Sequence, residues 1–149
     1  MSQIASPNFF GRLSLSQIEP NVNVLNWLDQ QDPSTLYLTS ITAAELMYGA
    51  ACLPAGRRAT ELHSAVLHIL EDQFRGRILP FDQDAAHFYG ERMALARRQG
   101  KAIGYADGQI AAIAISNGLA PIATRDIKPF EALRLDVINP FKEPSPEDI

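Results

Sequence analysis

Three carboxylates in this 149-residue sequence each follow a short, β-prone stretch. Glu45 comes after Leu36-Tyr37-Leu38-Thr39, Asp107 sits within Tyr105-Ala106-Asp107-Gly108-Gln109-Ile110, and Asp126 follows Ile122-Ala123-Thr124-Arg125. In open α/β sheets, ligands bind in the crevice beyond the carboxyl ends of the strands, so acids gathered there can share one site. A site built from oxygen donors alone suits Mg²⁺ or Mn²⁺, which can hold a phosphate oxygen and ready a water for attack. The chemistry expected from such a site is metal-assisted phosphodiester hydrolysis. Each acid also has an ordinary structural role open to it. Thr42-Ala43-Ala44-Glu45 has the form of a capping box, in which Glu45 accepts from an N-terminal backbone N–H. Asp107 and Asp126 could equally be first-turn or N-cap residues favoured by the helix dipole.

The elements that must position these acids alternate between strand and helix. Val24, Leu25, Trp27 and Leu28 are spaced for one helix face, and Asp32-Pro33-Ser34 breaks it. Leu36 to Thr39 reads as a strand, and Ala43 to Leu53 as a helix that stops at Pro54-Ala55-Gly56. Leu62, Val66, Ile69 and Leu70 mark a helix between Arg58 and Phe74, before a buried strand from Arg77 to Phe81. A helix from Gln83 to about Gln99 should close at Gly100, which suits a left-handed C-cap. The largely apolar run from Tyr105 to Asn117 reads as a helix ending at Gly118. Ala120 to Thr124 and Leu135 to Ile138 are the last strands, with Pro121 near a strand start. This alternation predicts an α/β fold with a mostly parallel sheet and helices on both faces, because parallel strands need crossover connections.

Composition bounds the rest. The length suits one domain, and 46% hydrophobic residues can bury a core. A lone cysteine, Cys52, excludes an intramolecular disulfide and is expected to be buried as a small apolar group. No stretch approaches the roughly 20 apolar residues of a membrane span, and the N-terminus lacks a signal-peptide pattern, so a soluble cytoplasmic protein is expected. A net charge of -4 argues against holding nucleic acid by bulk electrostatics. Local basic groups remain: Arg92, Arg97, Arg98 and Lys101, which an ordinary solvated helix face also explains, and Arg125 with Lys128. His63, His68 and His87 lack zinc-like spacing, and Trp27, Phe81 and Phe88 read as core rather than base-stacking platforms.

Several of these segments together resemble a known family. Ile41-Thr42-Ala43-Ala44-Glu45-Leu46-Met47-Tyr48-Gly49 with Leu53-Pro54-Ala55-Gly56-Arg57-Arg58 resembles the second acidic motif of PIN-domain toxins of the VapC and FitB (plasmid-stability StbB-like) type. In order, Gly76 to Asp82, Ile103 to Ala112, Ala123 to Asp126 with Pro129-Phe130-Glu131, and Val137 to Phe141 are similar to later blocks of that family. The resemblance spans Asn21 to Phe141. It implies one PIN-like three-layer α/β/α domain over residues 1–141, with 1–20 atypical and 142–149 a disordered tail. It also implies a Mg²⁺- or Mn²⁺-dependent endoribonuclease, the toxin of a toxin–antitoxin pair, neutralised by a small DNA-binding antitoxin and often a homodimer. By family position Glu45, Asp107 and Asp126 are the metal-site and catalytic carboxylates, with Thr124 and Arg125 as substrate-positioning candidates.

The front of the chain departs from the family pattern. Members open with an apolar strand ending in Asp-Thr-Asn, whereas this chain has Ile4-Ala5-Ser6-Pro7-Asn8-Phe9-Phe10. With Asn8 at the motif's asparagine, Ser6 stands where an aspartate is expected, and a hydroxyl supplies neither its charge nor its ligand strength. Two outcomes follow: an active ribonuclease with three acids, or a catalytically impaired homologue that retains antitoxin binding or dimerisation. A reading-frame change is one hypothesis for the departure, since codons permitted for Ala5 to Gly11 can be chosen so that another frame reads Ile-Ser-Glu-Phe-Leu-Arg; the gene sequence tests it. Without the family's first strand, the sheet must lose a strand or recruit Ile4 to Phe10 in its place. A third reading, a nucleotide-binding doubly wound protein, lacks both glycine-rich phosphate fingerprints.

Overall fold

The computed structural model describes residues 3–5, 30–119, 121–140 and 142. The helix expected around Val24 to Leu28, the position of Ser6 and the tail beyond Lys142 lie outside them. The described strands are β1 (Gln3–Ala5), β2 (Leu36–Thr39), β3 (Ile78–Leu79), β4 (Ile122–Ala123) and β5 (Val137–Ile138). The described α-helices are α1 (Ser40–Ala51), α2 (Arg57–Leu67), α3 (Gln83–Arg98), α4 (Tyr105–Ser116) and α5 (Lys128–Ala132). All strands run parallel in one sheet of order β3-β2-β1-β4-β5.

β1 is therefore the central strand, pairing Ala5 with Leu38 of β2 and with Ala123 of β4. The segment recruited in place of the family's first strand does fill the middle of the sheet, through residues 3–5. Ile4 is completely buried there. Because successive strand residues point to opposite faces, the sheet divides the core in two. Leu36, Leu38 and Ala123 pack with Leu46 and Ala50 of α1 and Leu62 and Val66 of α2. Ile4 and Ile122 pack on the other face with Ala85 and Ala96 of α3, Ile110 and Ile113 of α4, and Phe130 of α5. The result is the three-layer α/β/α arrangement expected from the alternation of elements.

Helix ends follow local chemistry. Asp32 accepts from the N–H of Ser34 at 3.0 Å and starts a 3-10 turn, Pro33–Thr35, which delivers the chain into β2. Asp82 accepts from the N–H of Ala85 at 2.9 Å and starts α3. The α3 end is followed by Gly100 at φ +72°, the left-handed position its sequence predicted. α2 continues into a π-helical turn, His68–Gln73, which the apolar spacing did not reveal. α4 is apolar on every side, with Ile110 to Ala114 all buried, because α3, α5 and the sheet enclose it.

Two expectations fail. Cys52 is exposed, since it caps the end of α1 at the surface rather than facing the core. The capping box at Thr42 does not form. Thr39 is the N-cap instead, its Oγ1 accepting from the N–H of Thr42 at 3.0 Å, so the helix begins earlier and Glu45 falls in its second turn. Thr39 and Thr42 are both fully buried, and the Thr39 hydroxyl donates to that of Thr42 at 3.2 Å.

Candidate active site

The carboxyl ends of β1, β2 and β4 lie side by side in the sheet, and the three sequence-flagged acids enter from the segments that follow β2 and β4 and from α4. Glu45 stands on α1, one position before Leu46, which is buried on the helix face that also carries Thr42 and Ala50. Asp107 lies in the first turn of α4, whose N-cap is Gly104 and carries no side-chain cap. Asp126 lies in the turn between β4 and α5. There the Thr124 hydroxyl, completely buried, accepts from the N–H of Asp126 at 3.2 Å and faces its carbonyl at 3.3 Å. Thr124 thus holds the backbone that carries Asp126, and its hydroxyl faces inward. Arg125 is exposed between them, and its carbonyl accepts from Asn139 at 3.5 Å.

Charge couples the acids pairwise, Asp126 to Asp107 and Asp107 to Glu45. Burial raises the Asp107 carboxyl above the ordinary aspartate range, and the charge of Asp126 raises it further. Burial also raises the Glu45 carboxyl, with the charge of Asp107 adding to it. Glu45 as a residue is exposed, yet its acid end is packed closely enough to lose part of its hydration. Asp107 therefore interacts with an acid on either side. Among the described residues, ion pairs join only Arg57 to Glu61, His68 to Asp72 and His87 to Glu91, so no cation neutralises the three acids.

Partly dehydrated carboxylates that repel one another fit a hard divalent cation in donor chemistry. They do not form a ready-made cage: among the described residues, no group of three or more acid, histidine or cysteine side chains is close enough to enclose a metal. Mg²⁺ tolerates this, because it keeps several waters and is commonly held through one or two carboxylates.

Relatives place this chain in a family. A PIN domain family model matches residues 15–134. The chain belongs to the PIN domain family. It is 48% identical over 128 residues to VapC ribonuclease Y4jK of Sinorhizobium fredii, covering 86% of this chain and 91% of the relative. It is 40% identical over 125 residues to the toxin FitB of Neisseria gonorrhoeae, covering 84% and 89%. The structure of FitAB bound to an IR36 DNA fragment matches with a TM-score of 0.85 at 34% identity, over 97% of this chain and 99% of that one.

The remaining sequence candidates are dispersed. His63, His68 and His87 lie exposed on α2, the following turn and α3. Arg92 donates to the Leu133 carbonyl at 3.2 Å and so braces α3 against the end of α5, while Arg97, Arg98 and Lys101 are exposed. Phe81 and Phe88 are partly buried against the second core cluster. Trp27 lies outside the described residues. A feature the sequence reading missed is the exposed Tyr105, beside Asp107.

Proposed function

We propose that this PIN-domain chain is a divalent-metal-dependent endoribonuclease, the toxin of a toxin–antitoxin or plasmid-stability module. The observation that carries the reading is the placement of Glu45, Asp107 and Asp126 on the segments after β2 and β4 and on the first turn of α4 in a PIN-domain chain, with no ion pair to any of the three among the described residues. Glu45, Asp107 and Asp126 would hold Mg²⁺ or Mn²⁺, which supplies Lewis acidity toward a phosphodiester oxygen and acidifies an attacking water. Asp107, in the first turn of α4, holds the middle of the acidic row. Thr124 fixes the turn that carries Asp126. Arg125, exposed next to it, is suited to contact an RNA phosphate. The relationship to the VapC ribonuclease and FitB supports a cognate small DNA-binding antitoxin as partner, and the same family reading favours a homodimer acting in the cytoplasm. No helix among the described residues is long and apolar enough to cross a membrane.

The absence of a three-residue metal cage among the described residues favours a second reading, a catalytically impaired homologue that keeps antitoxin binding. Aligning Asn8 with the asparagine of the family's first motif puts Ser6 where the first aspartate is expected, which supports the same alternative. One experiment separates the two. Purified chain is assayed for Mg²⁺- or Mn²⁺-dependent cleavage of structured RNA, with Asp107→Asn as the control for contaminating nuclease. Cleavage that falls by about a hundredfold or more in the variant supports the enzyme; cleavage absent or equal in both assigns this chain to the impaired class.

A further inference from the structure

Large apolar side chains rarely stay exposed without a reason when they gather in one place. Among the described residues those exposed are Met47, Tyr48 and Tyr105, and each lies within three positions of Glu45 or Asp107. The exposed large apolar residues thus lie on the two helices that carry Glu45 and Asp107. The three are not equivalent. The Tyr105 ring, 68% exposed, packs against Tyr89 of α3 with centroids 5.4 Å apart at 66°. Tyr89 is in turn fixed edge-on against Phe81, 6.0 Å away at 90°. Phe81 and Tyr89 are partly buried in the second core cluster. The row Phe81, Tyr89, Tyr105 therefore runs from the core to the surface and holds its last ring in place with most of that ring open to solvent.

We propose that Tyr105 is a stacking platform for a nucleobase of the RNA strand beside the scissile phosphate, a substrate-binding contact that selects unpaired strand at the site under "Proposed function", on which it rests. Tyr105 and Asp107 are two positions apart on the first turn of α4. They point to different sides of the helix rim, Tyr105 toward α3 and Asp107 toward Glu45 and Asp126. A strand whose phosphate reaches the acids would bring a neighbouring base over the ring. A chain of net charge -4 gains little affinity for RNA from bulk charge, so contact with base faces has to supply more of it. Every base has a π-face, so the platform tolerates sequence and favours unpaired loops over duplex.

The test uses the full chain with a short, 5′-labelled single-stranded oligoribonucleotide containing one cleavage site. Binding is followed by fluorescence anisotropy with Ca²⁺ in place of Mg²⁺, and cleavage kinetics with Mg²⁺. Tyr105→Ala should raise Kd and KM about tenfold with kcat changed much less, and Tyr105→Trp should restore affinity. An abasic nucleotide next to the cleavage site should weaken wild type by a similar factor and leave Tyr105→Ala unaffected, a readout that survives if the alanine variant misfolds, since wild type alone then reports it. Wild type that cleaves this RNA with no penalty for the abasic nucleotide, or an alanine variant with unchanged KM, overturns the platform and leaves the ribonuclease standing. A loss confined to antitoxin binding would also overturn it. Wild type that neither binds nor cleaves RNA removes both.

Discussion

Replacing Ile4 by alanine should destabilise the fold far more than its place at an atypical N-terminus suggests. Ile4 is completely buried in the central strand, packed among α3, α4 and α5 residues, with β2 and β4 on either side. The substitution removes three carbons, about 2.4 kcal/mol at ~0.8 kcal/mol per buried methylene. A residual cavity between the sheet and α4 brings the total to about 3 to 4 kcal/mol. For a domain of this size each kcal/mol lowers the melting temperature by about 2 to 4 °C, so the midpoint should fall by about 6 to 16 °C. Ile4→Val should cost about 1 kcal/mol and correspondingly less. Thermal unfolding followed by circular dichroism measures both. An alanine variant melting within ~2 °C of wild type would refute the reasoning, because a side chain that costs so little cannot sit in the core, and residues 3–5 would not be the central strand. The consequence reaches the site, since β1 separates β2 from β4 and so spaces the segments that carry Glu45 and Asp126.

In the metal-free chain, Glu45 and Asp107 bind protons more tightly folded than unfolded, by burial first and a neighbouring acid second, Asp107 for Glu45 and Asp126 for Asp107. Their contribution to stability is full below the unfolded values near ~4 and is lost as pH rises through the raised folded values. Asp107→Asn should therefore raise the melting temperature in EDTA at neutral pH relative to wild type, narrow that gap at acidic pH, and abolish stabilisation by added Mn²⁺; a variant less stable than wild type in EDTA at neutral pH contradicts the site electrostatics. Gly108→Ala should lower stability. Its Cβ would lie 2.6 Å from the Met93 sulfur and 3.0 Å from Tyr89 Cε2, so overpacking of about 1 to 3 kcal/mol outweighs a helix-propensity gain of about 1 kcal/mol. Urea unfolding checks it, and a stabilised variant would mean that Met93 swings clear without cost.

The sequence by itself determined the order of elements and named three acids as candidates. Apolar spacing marked α2, α3 and α4, and Gly100 marked the end of α3, because helix periodicity and left-handed caps are written in neighbouring residues. The strand–helix alternation required a parallel sheet with two covered faces. Tertiary structure decided what depends on residues far apart in the chain. Nothing local distinguishes Gln3 to Ala5 from a frayed terminus; only pairing with β2 and β4 on both sides makes it the central strand. The capping box at Thr42 looked complete in sequence, but Thr39, delivered by the end of β2, reached the N–H of Thr42 and moved the helix start. Burial, first, and the charge of Asp126 raise the Asp107 carboxyl, an environment that residues far away in the chain create. Exposure was the least legible property: Cys52 read as a residue to bury, and the exposure of Tyr105 was not marked, because which of a helix's faces meets solvent is settled by the elements packed around it.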